Sequence, residues 1–88
     1  MIGNRNGRDT TVELVRDYYK ETGRDVFLYK DMRRFYYRQY PNRRHLPDWH
    51  TIERWLRELS EEGMLARDHP SPRRVVFYMR PMILRGVK

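Results

Sequence analysis

The sequence predicts a single α+β domain in which a bundle of three helices is followed by a β-hairpin. Three observations carry this expectation. Ile52, Trp55, Leu56 and Leu59 recur at i, i+3, i+4 and i+7, the core stripe of an amphipathic helix. Two earlier stretches, 11–22 and 30–39, carry the same helical period in their apolar residues. After Gly63 the pattern changes to two short β-branched and aromatic runs flanking a turn rich in Pro and Ser. A chain of 88 residues is one domain with a modest core.

Residues 1–9, polar and glycine-containing, are expected to form a flexible arm, with the domain at 10–80 and a basic tail at 81–88. The first helix, 11–22, is introduced by Thr10 and Glu13, which have capping-box spacing, and Gly23 stands where a left-handed residue would end it. Val12, Val15 and Tyr19 supply its apolar stripe, widened by Leu14 and Tyr18. Residues 25–29 are either a brief strand or the lead-in to the second helix. That helix, 30–39, sets Met32, Phe35 and Tyr36 on one side and Arg33, Arg34 and Arg38 largely on the other. Pro41 stops it, and the loop to Pro47 carries Arg43 and Arg44. Asp48 is the N-cap of the third helix and Gly63 its C-terminal left-handed residue. The hairpin pairs residues 64–67 with 74–79, its tip being Asp68-His69-Pro70-Ser71-Pro72-Arg73, with both prolines outside the paired strands.

Nineteen basic residues, sixteen of them arginine, stand against twelve acids, leaving a net charge of +7. A strongly basic balance of this kind is the electrostatic footprint of a nucleic-acid binder. The arginines are unevenly placed: five lie between positions 32 and 47 with no acid, whereas Glu58, Glu61 and Glu62 gather at the end of the third helix. There is no cysteine, which excludes disulfides and thiolate zinc sites and suits an intracellular, cytoplasmic protein. His45, His50 and His69 lack metal-ligand spacing, no glycine-rich phosphate loop is present, and Ser60 and Ser71 have no nucleophile elbow. The expectation is therefore a non-enzyme without cofactor or metal, with no membrane span and no small-molecule substrate.

The stretch Thr51-Ile52-Glu53-Arg54-Trp55-Leu56-Arg57-Glu58-Leu59-Ser60-Glu61-Glu62-Gly63-Met64-Leu65-Ala66-Arg67 resembles the recognition-helix-to-wing segment of winged-helix transcription regulators. The match covers about a fifth of the chain strongly, and the element order extends it over residues 10–80. The resemblance implies a winged helix-turn-helix fold binding double-stranded DNA, with the third helix in the major groove and the hairpin on phosphate or the minor groove. Contact residues would then be Trp49, His50, Glu53, Arg54 and Arg57 on the helix and Arg73 and Arg74 on the wing. For Trp49, packing against the second helix is an equal alternative; for Arg54, an ion pair to an acid on that helix is another.

Arg33, Arg34 and Arg38, with Arg43 and Arg44, would position the duplex through its phosphates. Arg5 and Arg8 are candidates for a minor-groove arm. The loop 41–47 is longer than the usual helix-turn-helix connection, so either the second helix is displaced or the loop adds backbone contacts of its own. Such regulators often dimerise, and Met82-Ile83-Leu84 offer apolar surface for a homodimer. Two other readings stay open: RNA or single-stranded nucleic acid stacked on Tyr37 and Tyr40, and a protein-interaction module.

Overall fold

The computed structural model describes residues 7–42 and 44–85. The elements run α1 (Gly7–Thr22), β1 (Val26–Leu28), α2 (Tyr29–Gln39), α3 (Trp49–Glu62), β2 (Leu65–Ser71), β3 (Arg74–Met79) and α4 (Pro81–Leu84). The class is α+β: the helices cover one face of a three-stranded antiparallel sheet of order β1-β3-β2, an arrangement compatible with a small winged-helix-like domain.

Helix α1 begins earlier than its sequence pattern implies. Gly7, Arg8 and Asp9 are helical, so Thr10 and Glu13 lie inside the helix and form no capping box at its start. Thr10 is buried with its hydroxyl unpartnered, while the Thr11 hydroxyl donates to the Gly7 carbonyl at 2.7 Å. The cause is tertiary. A Cβ on Gly7 would come within 2.6 Å of the Trp55 ring, so α1 and α3 approach where only glycine fits. One turn of the expected arm is thereby docked; residues 1–6, including Arg5, lie outside the described residues.

The ambiguous segment after Gly23 forms a strand. Phe27 is buried and stacks on Phe77 of β3, centroids 5.3 Å apart and planes 16° from parallel. The register is Val26 opposite Tyr78, Phe27 opposite Phe77 and Leu28 opposite Val76. Helix α2 follows without a loop: the Asp31 carboxylate accepts the Leu28 N–H at 3.1 Å, satisfying one donor at the helix start. Met32, Phe35 and Tyr36 are buried as their period requires.

Helix α3 has the termini its sequence specifies. The Asp48 carboxylate accepts the Thr51 N–H at 2.9 Å, and Gly63 takes φ 89°, its N–H returning to the Leu59 and Ser60 carbonyls. Ile52, Leu56 and Leu59 are fully buried. Trp49 takes the packing role that the sequence left open for it, and Trp55 is less buried than its place in the stripe implies. Trp49, three residues before Ile52, continues the core stripe and is 8% exposed; Trp55 is half-buried on the flank facing Gly7.

The hairpin is longer than expected. Strand β2 continues to Ser71, so Pro70 lies within it and the turn is only Pro72-Arg73. Three steps along β2 from Asp68 to Ser71 oppose two along β3, and this bulge accommodates Pro70 on an edge strand that needs no donor there. Residues 81–85 of the tail are structured too, 86–88 lying outside the described residues. In α4, Ile83 is buried, Leu84 packs on the core, and the Arg16 side chain donates to the Ile83 carbonyl at 2.9 Å, so among the described tail residues only Met82 keeps a large exposed apolar surface.

Two stability outcomes follow. Leu56→Ala empties a fully buried site and should cost about 2–5 kcal/mol, and Gly63→Ala, forced into left-handed backbone, about 1–2 kcal/mol, both read from urea melts. The Asp48 carboxyl is held below its ordinary range by the Thr51 hydrogen bonds, and that of Glu62 by the Arg8 side chain. Carboxyls depressed in the folded state stabilise it above their unfolded values, near pH 4, and that contribution disappears as pH falls below them. Melts between pH 2 and 7 should show a shallower acid limb for Asp48→Asn combined with Glu62→Gln; an unchanged limb would place the acid sensitivity elsewhere.

Candidate nucleic-acid interface

Seating α3 on Ile52, Leu56 and Leu59 determines what it presents outward. At about 100° per residue, His50, Glu53, Arg54 and Arg57 share an arc of about 100° opposite that stripe. His50, Arg54 and Arg57 are exposed and Glu53 is half-buried. His50 Nδ1 lies 3.8 Å from Glu53 Oε1, an ion pair only when the imidazole is protonated. No ion pair joins Arg54 to an acid on α2 among the described residues, which leaves its guanidinium on the outward arc.

One flank of this arc is built around Tyr29, the first residue of α2. Its ring meets Phe77 edge-on at 4.9 Å, and Phe77 is the cross-strand partner of Arg67 on β2. Arg57, Glu53 and Arg67 all act on the phenol, and Arg67 hydrogen-bonds it. Burial dominates, pushing the Tyr29 hydroxyl above its ordinary range, while Arg57 and Arg67 pull it down. Three elements thus place two guanidiniums and one carboxylate around a single phenol. Neither Tyr29 nor Arg67 stood among the sequence-derived contact residues. Arg67 was visible as the basic position closing the helix-to-hairpin segment, but its proximity to Arg57 needs the fold.

A second basic group lies at the hairpin tip. Arg73 occupies the turn, Arg74 begins β3, and with Leu28, Tyr29, Lys30 and Val75 they line an open cleft of about 420 Å³. Lys30, also unassigned from sequence, joins the wing arginines because β1 pairs with β3 immediately before α2 begins.

The α2 arginines divide. The Tyr36 ring lies 6.4 Å from Trp49, and its hydroxyl donates to the Pro47 carbonyl at 2.5 Å, so the side of α2 bearing Tyr29, Tyr36 and Tyr40 faces α3. These contacts also tie the end of the long loop back to α2. Arg33 flanks that side, its guanidinium 5.5 Å from the Tyr37 ring centroid. Arg34 and Arg38 fall on the far half of the helix; Arg38 lies over Phe35, whose ring meets Tyr18 of α1. They do not join the α3 surface.

Trp49, buried beside Tyr36, is not on the outward arc. Arg44 is exposed in the loop with its N–H donating to Asn42 Oδ1 at 3.3 Å, and Arg43 lies outside the described residues. Arg8 belongs to no arm: it donates to Glu62 at 2.6 Å, a contact that raises its own pKa and bridges α1 to the end of α3.

The chain matches no protein-family model, no curated protein and no solved structure. The chemistry of the site must therefore come from its own residues. Guanidiniums at Arg54 and Arg57 suit bidentate acceptors such as a guanine edge or a phosphate, and Glu53 suits an amino donor. Among the described residues no cluster of His, Asp and Glu could hold a metal ion, and no helix is long and apolar enough to cross a membrane.

The Tyr29 cluster has a spectroscopic signature. Its phenol should ionise above the ordinary tyrosine range, and Arg67→Gln, which removes a charge and a hydrogen bond favouring the phenolate, should raise it further. A pH titration followed by tyrosine NMR resonances reads both; a downward shift in Arg67→Gln would break the cluster as described.

Proposed function

We propose that this chain is a sequence-specific double-stranded DNA-binding protein, a transcriptional regulator of the winged helix-turn-helix kind. Helix α3 enters the major groove, and the β2–β3 hairpin rests on phosphate or reaches the minor groove. One observation carries this reading. A firmly seated, well-capped helix turns His50, Glu53, Arg54 and Arg57 outward, and the fold brings Arg67 and Tyr29 against the same flank. Rigid seating matters because a base contact is specific only when its side chain is held in one geometry.

The division of labour follows from position. Arg54 and Arg57 read base edges, with Glu53 accepting from a cytosine amino group. Arg33, Lys30, Arg73 and Arg74 neutralise phosphates beside the groove and fix the register. With a net charge of +7 the protein approaches any duplex by long-range attraction, and sequence is then read by the short-range contacts on α3.

Fluorescence anisotropy with duplex DNA, matched single strands and hairpin RNA across a salt series tests the proposal. Duplex should be preferred at this surface, and six phosphate contacts would cost about three or more orders of magnitude in affinity between 50 and 200 mM salt. Once a preferred site is selected from random duplex, Arg57→Ala should weaken it by about 1–3 kcal/mol and relax the preference at one base pair. Arg74→Ala should weaken all duplexes alike and lower the salt slope by about one. Equal affinity for every duplex would remove the sequence-specific reading, and absence of duplex binding at low salt would remove the whole assignment.

A further inference from the structure

The face of the sheet that turns away from the helices carries a second pattern that the α3 surface does not use. Alternation puts Phe27, Phe77, Leu65 and Met79 on the inner face, where all are buried. Residues of the other parity therefore share the outer face. Val26, Tyr78 and Ala66 form one cross-strand row, and Leu28, Val76 and Asp68 the next. Tyr78 is 41% exposed and Val26 38%, two of the largest exposed apolar side chains described, and they are direct partners in the register.

Arginines bracket this strip at both ends. Arg74 lies at one end of β3. At the other, the Met79 N–H donates to the Asp25 carbonyl and the Arg80 N–H to the Met64 carbonyl, so the pairing runs on and sets Arg24 at the row of Arg80. Two like charges opposite one another disfavour a sheet unless something negative lies between them. Neither arginine forms an ion pair among the described residues. Arg24 and Arg74 also line one open groove of about 490 Å³, floored by Val26, Leu28 and Val76. The nearby acids are Asp25, Asp31 and Asp68; the last two carboxylates already accept the Leu28 and His69 N–H groups.

We propose that this outer sheet face binds a short stretch of single-stranded nucleic acid. A base stacks on the Tyr78 ring, its neighbours lie along Val26 and Leu28, and phosphates meet Arg24 and Arg80 at one end and Arg74 at the other. Arg74 and Arg80 are six residues apart on an extended strand, about 20 Å, which leaves room for the two or three bases that a small sheet face stacks. The charge pattern selects this occupant. A second copy docked by a two-fold axis would bring arginine ends against arginine ends, whereas a polyanion carrying flat apolar groups complements both features. The site shares only Arg74 with the duplex reading, since the rest of the outer face lies on the side of the sheet opposite the helices.

Titration of the ¹⁵N-labelled full chain with an unstructured octathymidylate, followed by NMR, tests it. Amide shifts should cluster at Arg24, Val26, Ala66, Tyr78 and Arg80 and spare α3. Tyr78→Ala should weaken oligonucleotide binding by about fivefold or more while Tyr78→Trp retains it, and Arg24→Gln with Arg80→Gln should lower its salt dependence. Tyr78 is exposed, so each variant should keep the wild-type fold by circular dichroism. Shifts confined to α3, unchanged affinity in Tyr78→Ala, or no binding at millimolar oligonucleotide would overturn the proposal. So would a dimer in sedimentation equilibrium that Tyr78→Ala dissociates, because the face would then belong to a second copy.

Discussion

The stacking of Phe27 on Phe77 is the contact on which the rest of the arrangement depends. Phe77 has no exposed surface, and it is touched by three separate parts of the chain: Phe27 face to face, Tyr29 edge-on, and Arg67 across the strand pair. A β-hairpin alone is marginally stable in water. Here its central strand is closed on one side by β1 and on its inner face by the helical layer. The hairpin is thus fastened to the start of α2, and its arginines are held at a fixed place relative to α3. Loosening this aromatic cluster would dissolve the spatial relation between wing and helix while leaving each element's local sequence intact.

Electrostatics acts on top of that scaffold. Three of the four acids of α3, Glu58, Glu61 and Glu62, lie toward its C-terminal end, where the helix dipole disfavours negative charge. Arg8 offsets this at Glu62 and at the same time anchors the first turn of α1. Arg8, one of the two arginines of the supposed arm, is therefore committed to internal order, and the outward arc of α3 keeps Arg54 and Arg57 available. Apart from Arg74, which borders both, the duplex-facing reading and the sheet-face reading draw on different arginines, so the excess charge need not serve a single surface.

Much of the architecture was legible because it is local. Asp48 and Gly63 bound α3 through short-range hydrogen bonding and left-handed backbone, Pro41 ends the region of α2, and β-branched and aromatic runs around a Pro- and Ser-rich turn mark the hairpin. The failures share one cause. Thr10 and Glu13 have the spacing of a capping box, yet packing of Gly7 on Trp55 extends α1 past them. Periodicity counted from Ile52 favoured Trp55 for the core, but Trp49 satisfies the same period upstream and has Tyr36 to pack against. Pro70 looked like a turn residue, and it is tolerated in β2 because that strand is an edge with a bulge. The start of the tail, 81–85, looked exposed and is folded onto α1 through Ile83 and Arg16.

The sequence by itself determined the order of the three main helices and the hairpin, the capped and amphipathic third helix and the strongly basic balance. These are set by interactions between residues a few positions apart, or by composition alone. Only the tertiary structure decided which arginines act together: Arg57 with Arg67 around Tyr29, Arg73 and Arg74 with Lys30, Arg24 level with Arg80, and Arg8 withdrawn to Glu62. Each grouping joins residues far apart in the chain, and only the register of the sheet and the packing of helices on it bring them within reach.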